Sequence, residues 1–276
     1  MTTSPGLEYT SVRSPRLKGA RRLTKRAFRQ RARAFLAEGP QAVTEAFRSG
    51  APVSELFVTA EARARRVDLV TEMAQAGIPV HTVSGEVMAE LAQTITPQGL
   101  LAVCGFVDVP LNQAVAGHPA LVAVLASVRD PGNAGTVLRA ADAAGGQAVI
   151  FTDASVDPYN GKAVRASAGS LFHLPVVAGA RPDQAVTALR GAGLRVLAAD
   201  ARGERTLDDL TPAELAAPTA WIFGNEAWGM PPEILALADE SVGVPIYGHA
   251  ESLNLATAAA VCLYASARAR RAAPPR

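Results

Sequence analysis

Residues 121–145 read LVAVLASVRDPGNAGTVLRAADAAG, and this stretch decides the fold of the second half of the chain. An apolar, strand-like run leads into a polar turn at 130–132, and apolar residues then recur at helical spacing over 133–144. A strand, a turn and a helix in this order predict a βα unit of an open α/β sheet. Such sheets bind ligands where their strands end.

The same alternation continues through the rest of the second half. Strand-like runs are predicted at 121–128, 148–152, 174–177, 196–199, 220–223 and 242–246. Helical spacing is found between them, at 133–144, 184–191, 231–238 and 253–267. Strands that alternate with helices predict an α/β fold with a largely parallel sheet covered on both faces.

The first half contains shorter elements that predict a small α/β module. Strands are expected at 54–59, 78–83 and 100–107, and helices at 35–47, 62–76 and 86–93. A proline- and glycine-containing linker separates this module from the second half. The predicted organisation is a basic arm at 1–33, the module at 34–110, the linker at 111–120, a larger domain at 121–270 and a tail at 271–276.

The charge of the chain is distributed unevenly. Ten Lys or Arg residues lie between Ser11 and Arg33, and Glu8 is the one acid of residues 1–37, which therefore carry +9 and leave −7 elsewhere. Cationic side chains that neutralise phosphates release counterions and so supply affinity for nucleic acid. The arm therefore favours a polyanionic partner. A solvated tail and an organelle transit peptide are the alternatives.

Composition disfavours several other classes of protein. The two cysteines, Cys104 and Cys262, lie far apart, and neither they nor the four histidines have metal-ligand spacing. No apolar stretch approaches the ~20 residues that cross a bilayer, and the N-terminus lacks an apolar signal core. We expect two buried thiols in a reducing cytoplasm, with no metal and no membrane association.

Familiar nucleotide-binding motifs are missing from the larger domain. Gly132 and Gly135 bracket Asn133 without forming a GxGxxG fingerprint, and the chain has no Walker A motif. A dinucleotide-dependent oxidoreductase is therefore only a distant alternative.

Polar residues follow three of the apolar runs. These segments are 130–139, which begins Asp-Pro-Gly-Asn and ends in Arg139, then 223–226, Phe-Gly-Asn-Glu, and 251–254, Glu-Ser-Leu-Asn. Each combines a polar side chain with a glycine turn or a helix start, the setting in which open α/β sheets build ligand sites. The three segments are therefore predicted to form one site.

These segments resemble the three motifs of the SpoU branch of the SPOUT RNA methyltransferases. Residues 125–145 resemble the first motif, 222–230 (IFGNEAWGM) the second, and 244–256 (VPIYGHAESLNLA) the third, in the family's order. The region from Phe35 onward is similar to the L30e-like substrate-binding domain often found before this catalytic domain. The resemblance covers about residues 20–268.

The resemblance implies a fold that residue periodicity does not show. In this family the last helix threads a loop to form a deep trefoil knot, and a homodimer forms across the knot. The resemblance also implies S-adenosylmethionine as the methyl donor. On matching positions, the residues that bind it are Gly224, Val244, Ile246 and Leu253. Val244 and Ile246 would suit a core strand equally well.

The implied reaction is methyl transfer to a ribose 2′-hydroxyl of RNA. Arg139 matches the arginine on which similar enzymes rely. A guanidinium, with a pKa above ~12, is a poor general base and is better suited to anchoring a phosphate. By resemblance, Asn133 orients Arg139 or the ribose, and Glu226 holds Asn133 or a nearby amide. Ser252 and Asn254 lie close by and donate to the target nucleotide.

Some of these residues have a structural explanation as well. Asn133, Ser252 and Asn254 occupy predicted helix starts, where side chains of this kind cap the helix. Lys162 and Arg165 resemble a segment that flanks the RNA face in relatives, although solvated surface charge explains them almost equally well.

The sequence as a whole favours a ribose 2′-O-methyltransferase that acts on ribosomal RNA. The L30e-like module favours ribosomal RNA, because tRNA-specific relatives often carry short helical extensions instead. A tRNA 2′-O-methyltransferase is the alternative within the class. A non-catalytic RNA-binding or ribosome-assembly factor is the alternative from another class.

Overall fold

The structure, a computed structural model, describes residues 9–11, 13–225 and 229–273. The described residues form two compact units. The first is drawn from Met1–Val107 and Tyr159–Phe172, and the second from Asp108–Pro158 and His173–Arg276. The segment 159–172 thus packs in the first unit, although the chain on both sides of it belongs to the second.

The first unit contains a mixed sheet of four strands. They are β1 Ala34–Glu38, β2 Val53–Val58, β3 Val80–Thr82 and β4 Leu100–Gly105. Their spatial order is β1-β4-β2-β3, with β4 antiparallel to β1 and β2, and β3 parallel to β2. Its helices from the first half of the chain are α1 Pro15–Arg22, α2 Arg26–Ala32, α3 Pro40–Arg48, α4 Ala60–Arg65, α5 Val67–Gln75 and α6 Gly85–Leu91.

The second unit contains a parallel sheet of seven strands. They are β5 Leu121–Leu125, β6 Ala148–Thr152, β7 Val176–Ala180, β8 Arg195–Ala199, β9 Arg205–Thr206, β10 Thr219–Phe223 and β11 Glu240–Gly243. Their spatial order is β7-β6-β5-β10-β8-β11-β9. The remaining helices are α7 Leu111–Val115, α8 Pro131–Ala143, α9 Gly161–Ala166, α10 Pro182–Gly191, α11 Pro212–Ala216, α12 Pro232–Leu235 and α13 Leu255–Ala272, of which α9 belongs to the first unit.

The predicted parallel α/β sheet is confirmed. Every residue of β5, β6 and β10 is buried. Strands that are covered on both faces are recognisable as continuous apolar runs, which is why the sequence predicted them. Within the predicted linker, residues Leu111–Val115 form α7, whose Ala114 is buried in the core of this unit.

The end of β11 differs from the prediction. The sequence extended this strand to residue 246, but it ends at Gly243. Pro245 cannot donate to a neighbouring strand, so a strand interior is unfavourable there. Val244 and Ile246 consequently lie beyond the sheet, and Ile246 is 37% exposed.

Two helices of the first unit also differ from the prediction. The run predicted as a helix over 35–47 begins as β1, whose residues pair with β4, and becomes helical only at Pro40. Gly39 separates the two elements with φ 93°, a conformation that glycine adopts without strain. The helix predicted at 62–76 is divided at Arg66 into α4 and α5.

The basic segment is folded from Ser14 onward, so the solvated-tail alternative is wrong for α1 and α2. Leu17, Ala20 and Leu23 are buried in a core that also contains residues of α6. The guanidinium of Arg29 is buried and donates to the carbonyls of Leu23 at 3.0 Å and Thr24 at 2.8 Å. One arginine therefore satisfies carbonyl groups just beyond the end of α1.

Glu38 is a buried carboxylate that holds part of the first unit together. It accepts hydrogen bonds from the backbone N–H of Gln93 at 3.0 Å, from the hydroxyl of Thr94, and from the guanidinium of Arg165 on α9 at 2.9 Å. Arg165 thus has a structural partner, which contradicts the reading of Arg165 as solvated surface charge. Lys162, on the same helix, is exposed.

The two predicted buried thiols are confirmed. Cys104 and Cys262 are both free and buried, and burial raises the pKa of each thiol to about 12. Such thiols remain protonated at neutral pH and are poor nucleophiles. In the described part of the chain, the helices are too short or too polar to span a lipid bilayer.

A buried hydrogen bond attaches α13 to the central strand β10. The indole Nε1 of Trp221 donates to the hydroxyl of Ser266 at 3.0 Å, and neither side chain is accessible to solvent. A tryptophan indole has only this one polar group, so the bond fixes both the ring and the position of the helix.

Ser266→Ala should lower the free energy of unfolding of the second unit by about 1–3 kcal/mol, because it leaves a buried N–H without an acceptor. Urea unfolding followed by tryptophan fluorescence measures this change. Thr257→Ala removes an exposed hydroxyl from the same helix and should have little effect. Equal midpoints for the two variants would contradict the assigned role of the bond.

Candidate active site

The loop after β5 is held by buried hydroxyl groups. Ser155 donates to the carbonyl of Leu125 at 2.7 Å and accepts from the backbone N–H of Val128 at 3.2 Å. The hydroxyl of Thr152 lies 3.2 Å from that of Ser155. Between these contacts Ser127 has φ 59°, a left-handed conformation that is uncommon for residues other than glycine. This network fixes the chain that leads to α8.

Asp130, and not Asn133, caps α8, so the prediction of Asn133 as the N-cap is wrong. The Asp130 carboxylate accepts from the backbone N–H of Asn133 at 2.8 Å, and Pro131 occupies the first helical turn. Proline is favoured at the first helical position because its missing N–H would have no partner in the helix. The N-cap is therefore Asp130, the residue directly before Pro131. The Asn133 side chain is therefore not used as the cap of its own helix.

Asn254 caps α13 and also contacts Asn133. Its Oδ1 accepts from the backbone N–H groups of Ala256 at 3.0 Å and Thr257 at 3.4 Å. Its Nδ2 donates to Oδ1 of Asn133 at 3.2 Å. The orientation of both amides follows from the hydrogen-bond network. One side chain thus joins the N-terminal turns of α8 and α13, and with them the first and third sequence motifs.

Arg139 and Ser252 are both exposed. Arg139 lies on α8, and no described residue forms an ion pair or hydrogen bond with its guanidinium. An exposed guanidinium that no described carboxylate pairs with can hold a phosphate. Ser252 precedes α13 but does not cap it, because Asn254 does, so the predicted capping role of Ser252 is wrong.

A pocket lies at the carboxyl ends of β8, β10 and β11. It is lined by residues 199–201, Phe223, Gly224, Asn225, Gly229, Met230, Val244, Ile246, Ser252, Leu253, Leu255 and Ala258. All four residues predicted to bind the donor line this pocket, as does Ser252. The pocket therefore brings the second and third sequence motifs together.

Gly224 lets Met230 pack closely against the chain in the pocket wall. A Cβ at this position would lie 3.1 Å from both Cα and Cβ of Met230, closer than most side-chain contacts. The pocket also includes Asp200, directly after β8, whose side chain is 10% exposed. Asp200 is not among the predicted site residues, although an acid directly after the apolar run at 196–199 is a signal for one.

Glu226, predicted to orient Asn133, lies outside the described residues. On either side of this gap, Asn225 and Gly229 form an isolated antiparallel bridge, and Gly229 has φ 70°. Among the described residues, no group of three or more His, Cys, Asp and Glu side chains could hold a metal ion.

The fold and the site define an α/β protein whose ligand pocket lies at the carboxyl ends of parallel strands. The model of the SpoU rRNA Methylase family matches residues 120–264, and that of the MRM3-like substrate binding domain matches residues 14–102. The first match spans more than half of the chain. The chain belongs to the SpoU rRNA methylase family.

Curated relatives resemble this chain over most of its length. The 23S rRNA (guanosine(2553)-2'-O)-methyltransferase RlmP of Bacillus subtilis (strain 168) is 34% identical over 257 residues, which cover 93% of this chain and 98% of the relative. The 23S rRNA (guanosine-2'-O-)-methyltransferase RlmB of Bordetella pertussis is 31% identical over 226 residues, with coverages of 79% and 90%.

Solved structures agree with these relationships. An AdoMet-bound rRNA methyltransferase from Sinorhizobium meliloti has a TM-score of 0.82 and 30% identity, covering 95% of this chain and 97% of its own. The SpoU methyltransferase AviRb from Streptomyces viridochromogenes, in complex with AdoMet, has a TM-score of 0.81 and 28% identity, with coverages of 94% and 100%.

The two functions of the Asn254 side chain can be separated by substitution. Asn254→Ala removes the helix cap and should cost about 1 kcal/mol, whereas Asn254→Asp keeps an acceptor for the helix and should recover most of that loss. Both variants lack the amide that donates to Asn133. Calorimetric melting of the two variants measures the difference. Equal destabilisation by both would show that the contact with Asn133 is the main source of stability.

Proposed function

We propose that this protein is an S-adenosylmethionine-dependent methyltransferase that modifies a ribose 2′-hydroxyl of ribosomal RNA. The observation that carries the proposal is the convergence of the three motifs. Asn133 and Asn254 are hydrogen-bonded to each other, and Ser252 and Leu253, on the same segment as Asn254, line the pocket at the strand ends. Two relatives that cover 93% and 79% of the chain are named as 23S rRNA 2′-O-methyltransferases, which supports this substrate.

The pocket fits S-adenosylmethionine chemically. Gly224 allows close packing of Met230 in its wall, and Met230, Leu253 and Leu255 supply apolar surface. Ile246 is partly exposed beside the same pocket. When bound, S-adenosylmethionine supplies an electrophilic methyl group. We assign its binding to Gly224, Val244, Ile246 and Leu253.

Arg139 has the chemistry to position the RNA. Its guanidinium is exposed and has no described partner, so it can hold a phosphate of the target nucleotide through paired hydrogen bonds. Because an arginine stays protonated at neutral pH, we assign it positioning and charge stabilisation instead of proton abstraction. Alignment of the hydroxyl with the methyl group then lowers the barrier, since the reactants are held in an attacking geometry.

The amide pair and its neighbours orient the ribose in this proposal. Asn133 is fixed by its hydrogen bond from Asn254, and this reduces the reorganisation needed when the substrate binds. The Ser252 hydroxyl, exposed at the pocket, can donate to the target nucleotide. Glu226, the remaining proposed catalytic residue, is assigned to orienting Asn133 on the basis of its motif.

Three further properties belong to this proposal: a trefoil knot at the C-terminus, a homodimer, and a cytoplasmic location. The family resemblance makes α13, which packs against α8, β5 and β10, the threaded helix of the knot. Tyr247, Val261 and Tyr264 are large apolar side chains exposed on the second unit, and a homodimer would cover them. In this scheme the first unit binds RNA and the domain at 121–270 carries the chemistry.

Transfer of labelled methyl groups from S-adenosylmethionine to unmodified ribosomal RNA and tRNA, in parallel, tests the proposal. Digestion and mass spectrometry of the nucleosides should find a ribose-methylated nucleoside from ribosomal RNA alone. Label in tRNA instead would assign the enzyme to that substrate. RNA binding without any methyl transfer would contradict the proposal and indicate a non-catalytic factor.

Arg139→Ala should reduce methyl transfer at least ~100-fold, because the phosphate of the target nucleotide is no longer held and the ribose hydroxyl is misaligned with the methyl group. Binding of S-adenosylmethionine, measured by titration calorimetry, should be unchanged. Arg181→Ala, which removes an exposed arginine that pairs with Asp183 on the same unit, is the matched control. Full activity of Arg139→Ala would exclude this arginine from the mechanism.

A further inference from the structure

A cationic cleft lies on the first unit, on α1, α2 and the turn between them. Its lining consists of Lys18, Arg21, Arg22, Thr24, Lys25 and Phe28. Four of these six side chains are cationic and none is acidic. None of these residues lines the pocket of the second unit, and none has been assigned a role in the proposed reaction.

Mutual repulsion among these cations destabilises the folded form of this segment. Lys18 and Arg22 are four residues apart on α1, a spacing at which like charges repel on a helix. Arg21 is paired with Glu90 at 3.2 Å, but no described residue pairs with Lys18 or Lys25. Buried Leu17 and Ala20 fix which face of α1 points inward, so the cations are held together on its outer side. A polyanion would offset their mutual repulsion.

Phe28 adds a second kind of contact to the cleft. It is 36% exposed, and the guanidinium of Arg22 lies 5.5 Å from the centroid of its ring. The turn that carries these residues is held by the buried Arg29, which donates to Leu23 and Thr24. The aromatic ring is therefore presented among cations on a constrained backbone. Aromatic rings and arginine planes of this kind stack with unpaired bases.

We propose that this cleft binds an unpaired segment of the RNA substrate. Lys18, Arg22 and Lys25 contact consecutive phosphates, and one unstacked base packs on Phe28. This inference rests on the proposed function in taking RNA as the substrate. Unpaired RNA is favoured over a duplex because the bases of a duplex are stacked on one another and cannot reach an aromatic side chain.

Fluorescence anisotropy with the full-length protein tests the cleft. The probes are a labelled oligouridylate of about 12 nucleotides and an RNA duplex of similar length. Phe28→Ala should weaken binding of the oligouridylate about tenfold, while Phe28→Trp should preserve it. Phe28→Ala should leave the salt dependence unchanged, because no charge is lost.

Unlike Phe28→Ala, the double variant Lys18→Ala/Lys25→Ala should change the salt dependence of RNA binding. It should reduce the slope of log affinity against log salt concentration by about 1.4, since each phosphate contact on a single strand contributes about 0.7. The matched control is Arg48→Ala/Arg65→Ala, which removes two exposed cations of the first unit from outside the cleft and should leave the slope unchanged. An equal change in the control, equal affinity for the duplex, or no effect of Phe28→Ala would overturn the proposal.

Methyl-transfer kinetics separate this proposal from the proposed function. The cleft variants should raise the KM for ribosomal RNA and leave kcat at saturating RNA unchanged. If the protein without substitutions transfers methyl groups and the cleft variants have the same KM for ribosomal RNA, the cleft proposal alone fails. If it transfers none but Phe28→Ala still weakens binding of the oligouridylate, the proposed function fails and the cleft stands.

Discussion

The backbone N–H of Ala126 donates to the carbonyl of Phe223 at 2.9 Å, directly after the last paired residues of β5 and β10. This parallel ladder is the constraint on which the rest of the site depends. It brings together two strands that are far apart in sequence and ends both at the same level. The segments that follow, with Asp130 and Gly224, therefore leave the sheet side by side.

The N-termini of α8 and α13 complete the positioning of the site residues that the pairing of β5 with β10 begins. Asp130 caps α8, which leaves the amide of Asn133 available to receive the hydrogen bond of Asn254. Asn254 in turn caps α13, whose position on the sheet is fixed by the buried bond between Trp221 and Ser266. The same polar groups therefore stabilise the helices and position the site residues, because the N–H groups at a helix N-terminus need a partner.

The first unit uses charge in a different way. Seven of its basic residues lie on the short helices α1 and α2, and a small apolar face on α1 holds the cations of that helix in a defined arrangement. Arg29 is an exception, since its guanidinium serves the backbone of the turn and not the surface. A flexible basic tail would attract any polyanion, whereas cations on folded helices can discriminate by spacing and by the aromatic ring of Phe28 among them.

The sequence by itself determined the α/β class, the approximate locations of six of the seven strands of the larger sheet, and the polar segments of the candidate site. Burial on both faces produces continuous apolar runs, and a polar residue at a strand end or helix start is visible without coordinates. Short elements of the first half were harder to assign. The strand β1 was mistaken for the start of a helix because five residues that alternate weakly carry little periodic signal.

Only the tertiary structure determined which strand ends and helix starts lie next to one another. The order of the strands puts β10 beside β5, and the packing of α13 against α8 brings Asn254 to Asn133. It also decided that Asp130 is the cap of α8, that Arg165 pairs with Glu38, and that Asp200 lies in the pocket. Local patterns report which residues are buried or turn the chain, but partners distant in sequence are selected by the packing of the whole unit.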